Sequence, residues 1–208
     1  MITLDKLLSI DKNELFEASK TIDKCDLSFL VELLSEKDDK IRYNTFLLLQ
    51  NRSAYSNDVY PFWDIFSEKF ESSNSYQRNI GLMLIAENTR WDKENKLDNT
   101  IDAYLKLLHD EKPITVRQCI QALSKIIPFK KHLQIRIAND LMSVNISEVK
   151  ETMRKLILLD ILEVLASIRS YQTTDEIESY IFNALSGGIL DKKAKKHIES
   201  LLCSASDI

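Results

Sequence analysis

Apolar residues recur along this chain at helical intervals. In 146–169, Val149, Met153, Leu156, Ile157, Ile161, Leu162, Val164, Leu165 and Ile168 lie on one broad face. A face that wide is buried on more than one side. The same rhythm predicts an N-terminal stretch of one or two helices over 3–24. Helix pairs follow over 26–35 with 39–53, 58–71 with 74–89, 97–109 with 113–127, 130–143 with 146–169, and 174–186 with 190–204. Pro61 and Pro113 fall in first helical turns, where a missing N–H costs little, and Pro128 falls where a helix stops. Asp11 with Glu14 and Thr173 with Glu176 have capping-box spacing. Gly187-Gly188 marks the turn inside the last pair. With three glycines and three prolines in 208 residues, a fold built on many tight β turns is excluded. The fold class expected is all-α.

The pairs also repeat. An apolar helix ends, a polar turn follows, and an arginine opens the next helix. The four copies are Leu33-Leu34-SEKDDK-Ile41-Arg42, Phe70-ESSNSY-Gln77-Arg78, Leu107-Leu108-HDEKPIT-Val116-Arg117 and Leu141-MSVNISEVKET-Met153-Arg154. The arginines are 36, 39 and 37 residues apart. Apolar positions follow each of them: Leu48 and Leu49, Leu84 and Ile85, Leu123, then Ile161. A weaker fifth copy runs from Asp191 through Lys195, with Ile198, Leu201 and Leu202 in matching places. Two helices per period of this length is what a helical-hairpin array needs, because each hairpin alone leaves an apolar face bare.

The acidic turn, Val-Arg and apolar helix of 107–124 resemble a HEAT repeat, and the other copies are weaker versions of it. The resemblance covers 26–170. It implies an α-α superhelix, a short right-handed solenoid of about five hairpins. The array is read as one domain over 1–208, with 1–25 as N-terminal capping helices and 171–208 as a fifth, capping repeat. Such arrays serve many partners, so the resemblance implies architecture and little about function. In HEAT-like proteins the repeat arginines usually tie neighbouring hairpins together, through acidic turns (here Asp38, Asp39, Asp110, Glu148) or helix-end carbonyls. A cation ladder for an anionic partner is the competing reading.

Composition and charge narrow the function. The formal charge of −4 divides into −6 over 1–104 and +2 over 105–208. That is too weak for a nucleic-acid footprint or a polybasic membrane patch. No apolar run approaches the roughly 18 residues of a membrane span, and the start lacks the basic and apolar regions of a signal peptide. Cys25, Cys119 and Cys203 form no CxxC and suggest reduced, mostly buried thiols in a cytoplasmic protein, with no metal site. His109-Asp110-Glu111 has no second His at ligand spacing. No GxSxG, GxxxxGK or GxGxxG occurs, so neither catalysis nor a cofactor is expected. One branch of HEAT-like proteins excises alkylated bases from DNA with aromatics and an Asp in a basic groove. Trp91-Asp92 fits that alternative by residue type, whereas the acidic first half does not. Trp63 lies in an apolar helix with Tyr60, Phe66 and Phe70 and reads as core.

The expected function is a non-catalytic protein–protein interaction scaffold or adaptor, holding a peptide or helix of a partner on its concave face. In HEAT-like arrays the second helix of each hairpin lines that face. Tyr43, Asn79, Gln118 and Lys155, each following a repeat arginine, form a ridge there, with Phe46, Leu82, Gln121 and Leu158 one turn on. Gln50, Glu87 and Lys125 lie toward the helix ends. Lys130-Lys131-His132 and Lys192-Lys193-Ala194-Lys195-Lys196-His197 read first as solvated helix ends. The lysines Lys192, Lys193, Lys195 and Lys196 form a candidate docking patch for an acidic partner. Leu4, Leu7, Leu8, Leu15 and Phe16 make either an end cap or a self-association face, giving a monomer or weak homodimer.

Overall fold

The computed structural model describes residues 2–204, and among them all regular structure is helical. The chain groups into two compact units, Met1–Thr100 and Ile101–Ile208.

In the first unit α1 (Leu4–Ser9) and α2 (Leu15–Lys20) precede two hairpins, α3 (Leu27–Leu33) with α4 (Asp39–Ser53) and α5 (Trp63–Glu68) with α6 (Ser75–Asn88). The polar turns between paired helices are caps. The Asp38 carboxylate accepts from the Lys40 and Ile41 N–H groups at 2.8 and 3.0 Å, and Asn74 does the same for Tyr76 at 2.9 Å. Such caps satisfy donors that a helix start cannot pair internally, at about 1 kcal/mol each. Helix α4 packs against α1, α2, α3 and α6, so Leu48 and Leu49 are fully buried. Burial of such a side chain contributes about 2 kcal/mol.

The second unit begins within α7 (Lys96–Lys106) and continues with α8 (Pro113–Ile126). Two hairpins follow, α9 (Gln134–Ser143) with α10 (Glu151–Arg169) and α11 (Asp175–Ser186) with α12 (Lys192–Ser204). Helix α10 packs against α8, α9, α11 and α12. Ile157, Ile161, Leu162, Leu165 and Ile168 are accordingly buried around most of its girth. The five expected helix pairs and the wide apolar face are therefore present.

Several details differ from expectation. Helix α10 starts at Glu151, not near 146, because Asn145 folds the preceding residues into a turn. Its Oδ1 accepts from the Ser147 N–H and Oγ, and Arg154 then binds the Val149 and Ser147 carbonyls at 2.8 and 2.7 Å. Leu156 is left exposed. Asp11 and Glu14 make a local turn rather than a capping box, with the Asp11 carboxylate on the Asn13 N–H at 2.8 Å. The cap of α11 is Thr174, not Thr173. Cys25 and Cys203 are exposed, and only Cys119 is buried. Lys130, expected at a solvated helix end, is 3% exposed.

Gly81 lies where α5 and α6 cross. A Cβ there would stand 2.6 Å from the Phe66 carbonyl oxygen and 3.2 Å from Cδ1 of Phe70. The backbone oxygen cannot rotate away. Gly81→Ala is expected to destabilise the protein by about 1–3 kcal/mol despite its better helix propensity. A urea midpoint equal to or above that of the unmodified chain would show that the helices separate at no cost.

Candidate interaction surface

Three of the four repeat arginines hold their own turns. Arg42 Nη1 donates to the Glu36 carbonyl at 2.9 Å, and its Nη2 pairs with Asp39. Arg78 Nη1 donates to the Ser72 carbonyl at 2.8 Å, and Arg154 binds Ser147 and Val149 as described. Arg42 also stands 5.3 Å from the Tyr76 ring of the next hairpin, and Arg117 forms an ion pair with the hairpin after its own. Its Nε and Nη2 meet the two oxygens of Asp160 on α10 at 2.6 and 3.1 Å. The expectation that these arginines join neighbouring hairpins is met by that pair and by the ring contact of Arg42. Elsewhere the guanidinium satisfies carbonyls of the turn that leads into its own helix.

A second set of joints was not anticipated. Arg52, at the end of α4, donates to the Ser19 and Lys20 carbonyls at 3.0 and 3.2 Å, closing the end of α2. It also pairs with Asp58 at 2.6 Å. Arg90 donates to the Ala54 carbonyl at 2.5 Å, and Trp91 Nε1 to that of Ser53 at 2.7 Å, closing the end of α4. In the second unit Gln172 donates to the Lys131 carbonyl at 3.1 Å and to Gln134 Oε1 at 2.9 Å, at the start of the α9 segment. Arg52 and Arg90 lie 38 residues apart in the chain. That repeat spacing was the available signal.

The ridge residues divide by what they touch. Tyr43 is 48% exposed on α4, with the Lys12 ammonium 5.4 Å from its ring. Asn79 and Gln118 are half-buried, and Asn79 Oδ1 accepts no hydrogen bond from the protein. Gln121 and Lys155 are joints: Gln121 Nε2 donates to Asp160 at 3.0 Å, and Lys155 Nζ meets Asp191 at 2.5 Å. Phe46, Leu82 and Leu158 are core. In the basic run, Lys192, Lys193 and Lys196 are exposed, while Lys195 donates to the Gly187 carbonyl at 2.9 Å and closes the end of α11.

The residues that most suggested chemistry have structural partners. Asp92 is buried. Its carboxylate accepts from the Lys96 and Leu97 N–H groups at 2.8 and 3.0 Å, capping α7, and from the Tyr60 hydroxyl at 2.8 Å. Burial, followed by the Asp92 hydrogen bond and charge, pushes the Tyr60 hydroxyl well above its ordinary pKa. Trp63 is core, with Nε1 donating to Thr100 at 3.1 Å. Among the described residues no His, Cys, Asp and Glu group is arranged to hold a metal, and no helix is long and apolar enough to cross a membrane.

Open clefts form beside the turns of successive hairpins. In the first unit a cleft of about 630 Å³ lies between the 35–39 and 68–77 turns, with Arg42, Ile65, Lys69 and Tyr76 in its walls. In the second, one of about 720 Å³ lies between the 108–113 and 143–150 turns, with Asp110, Glu111 and Glu148 among its residues.

No protein-family model matches the chain, and no curated protein matches it. Solved structures do. A designed armadillo repeat protein superposes with a TM-score of 0.52 at 13% identity, over 97% of this chain and 98% of that one. An engineered protein solved by the Northeast Structural Genomics Consortium gives 0.52 at 15% identity, over 100% and 98%. The class is thus an all-α helical repeat fold of the armadillo and HEAT type.

Two expectations follow from the joints. Burial raises the Asp58 carboxyl, but hydrogen bonds from Arg52 and Ser56 and the Arg52 charge outweigh it and hold its pKa below the ordinary value. The folded protein therefore binds this proton more weakly than the unfolded chain. The resulting stability is complete above the unfolded value of about 4 and is lost as pH falls through the lower folded value. Asp58→Asn should flatten the acid-side decline of the urea midpoint; an unchanged decline would place that stability elsewhere. For Arg117 and Asp160, a double-mutant cycle with Arg117→Met and Asp160→Asn should give a coupling of about 1–3 kcal/mol, less than a fully buried pair because the Arg117 side chain is 23% exposed.

Proposed function

We propose that the chain is a protein-binding scaffold. Each unit offers a peptide or helix of a partner the exposed strips of its own second helices, the side that is concave in HEAT-like arrays. One observation carries this reading. The second helices expose large apolar side chains near their starts, Tyr43 at 48%, Tyr76 at 63% and Ile114 at 51%; others, such as Phe29 and Phe182, lie on first helices. An exposed ring costs solvation and contributes little to a stack, and rigid aromatics are efficient anchors for a partner. On α8 with Ile114, the half-buried Gln118 carries an amide suited to an extended backbone, whereas the Asn79 oxygen is buried. The polar groups that would serve chemistry act as caps and joints, which supports binding over catalysis. Gln121 and Lys155 leave this surface, being engaged in the stack.

Tyr43→Ala and Gln118→Ala, made singly and together, should each reduce recovery of a partner protein captured from the native host and identified by mass spectrometry. Because neither side chain is buried, the melting temperature should fall by less than about 2 °C. A larger fall would make them structural. Nucleic acid as the captured species would replace this reading.

A further inference from the structure

Among the described residues, the cleft of the first unit contains a cation, Lys69, that makes no ion pair and feels chiefly the charge of exposed Glu68. Lys69 sits in the short helical turn that closes α5, and its stem is pinned where α5 and α6 cross, its Cβ 3.1 Å from where a Gly81 Cβ would stand. Its Nζ donates to Gln77 Oε1 at 2.6 Å and to Ser35 Oγ at 3.4 Å, both neutral. Gln77 cannot turn away, because its Nε2 donates to the Leu34 carbonyl at 2.7 Å and closes the end of α3. The ammonium is therefore held at the cleft wall. Burial pulls it below its ordinary pKa, with Glu68 offsetting only part of the effect. A half-desolvated cation in this position gains most from a carboxylate that replaces the lost water.

The rest of the cleft suits what such a carboxylate would be attached to. The Tyr76 ring stands 5.3 Å from the Arg42 guanidinium across the two hairpins and is 63% exposed, with Ile65 43% exposed in the same wall. Asp39 in this wall is already paired with Arg42. Glu36, Lys37 and Glu68 line the cleft from exposed positions, where water screens them. In the second unit's cleft the cation Lys150 is exposed and shares the lining with Asp110, Glu111 and Glu148.

We propose that this cleft binds a carboxylate of a partner segment, an acidic side chain or a free C-terminus, on the Lys69 ammonium, with Tyr76 and Ile65 covering the adjacent apolar residue. The site rests on the scaffold reading only for the claim that a protein carries the carboxylate. Its preference for that group is a property of the cleft.

The test uses the full chain and three fluorescein-labelled hexapeptides, read by fluorescence anisotropy. One alternates Leu and Glu with an amidated end, one replaces each Glu by Gln, and one is that Gln peptide with a free C-terminal carboxylate. At least one carboxylate peptide should bind about tenfold tighter than the amidated Gln peptide, and which one does so identifies the source. Lys69→Gln should bring the three within about twofold, Lys69→Arg should keep a preference, and Tyr76→Ala should weaken all alike. In the unmodified chain the Lys69 side-chain NMR signals should move with the favoured peptide, which keeps the test independent of how well Lys69→Gln folds. Equal binding of the three peptides, no binding, a preference that survives Lys69→Gln, or unmoved Lys69 signals each overturns the proposal. Capture that is unchanged in Tyr43→Ala, or that yields nucleic acid, would overturn the scaffold reading and leave the peptide preference untouched, so failure of this site and failure of the scaffold reading are separable.

Discussion

A helix buried on two sides cannot leave its ends to solvent. That constraint runs through both units. Helix α4 lies between α2 and α6, and α10 lies between α8 and α12, so the carbonyls at helix ends come to rest beside neighbouring hairpins. Unpaired there, each would cost about 1–3 kcal/mol. The chain meets the cost with long side chains that reach across: Arg52 to the end of α2, and Arg90 and Trp91 to the end of α4; Arg42, Arg78 and Arg154 hold the more open turns. The apolar seams supply most of the stabilisation. The donors allow the seams to be long without stranding backbone groups.

The same constraint decides which residues remain free for a partner. Asp160 is buried on α10, and a buried carboxylate must be paired. It recruits Arg117 and Gln121 together. Asp191 caps α12 through the Ala194 N–H at 2.9 Å and also holds Lys155. In the second unit, Arg117, Gln121 and Lys155 of the second helices are thus engaged by carboxylates of the following hairpins. In the first, Tyr43 and Tyr76 stay at the surface, and the cleft beside Lys69 adds a cation that the stack does not consume.

The sequence by itself determined the all-helical class, the five pairs, their repeat length and the buried faces. Each depends on short-range periodicity, which the two-sided burial of Ile157, Ile161 and Leu165 turns into a pattern visible along the chain. Gly81 was also legible as a close approach, since helices seldom keep an interior glycine without a packing reason. Tertiary structure decided what each polar side chain does. Arg117 and Arg42 occupy the same repeat position, yet one crosses to Asp160 and the other folds back onto Glu36, because only the first faces a buried carboxylate on its neighbour. Gln121 and Lys155 looked like free ridge residues for the same reason. Their partners, Asp160 and Asp191, are 39 and 36 residues away. Lys69 drew no notice in the sequence, as its distinction lies in having neutral acceptors around a half-buried charge. Local periodicity fixes which face of a helix is buried, whereas the use of a charge depends on what stacking brings opposite it.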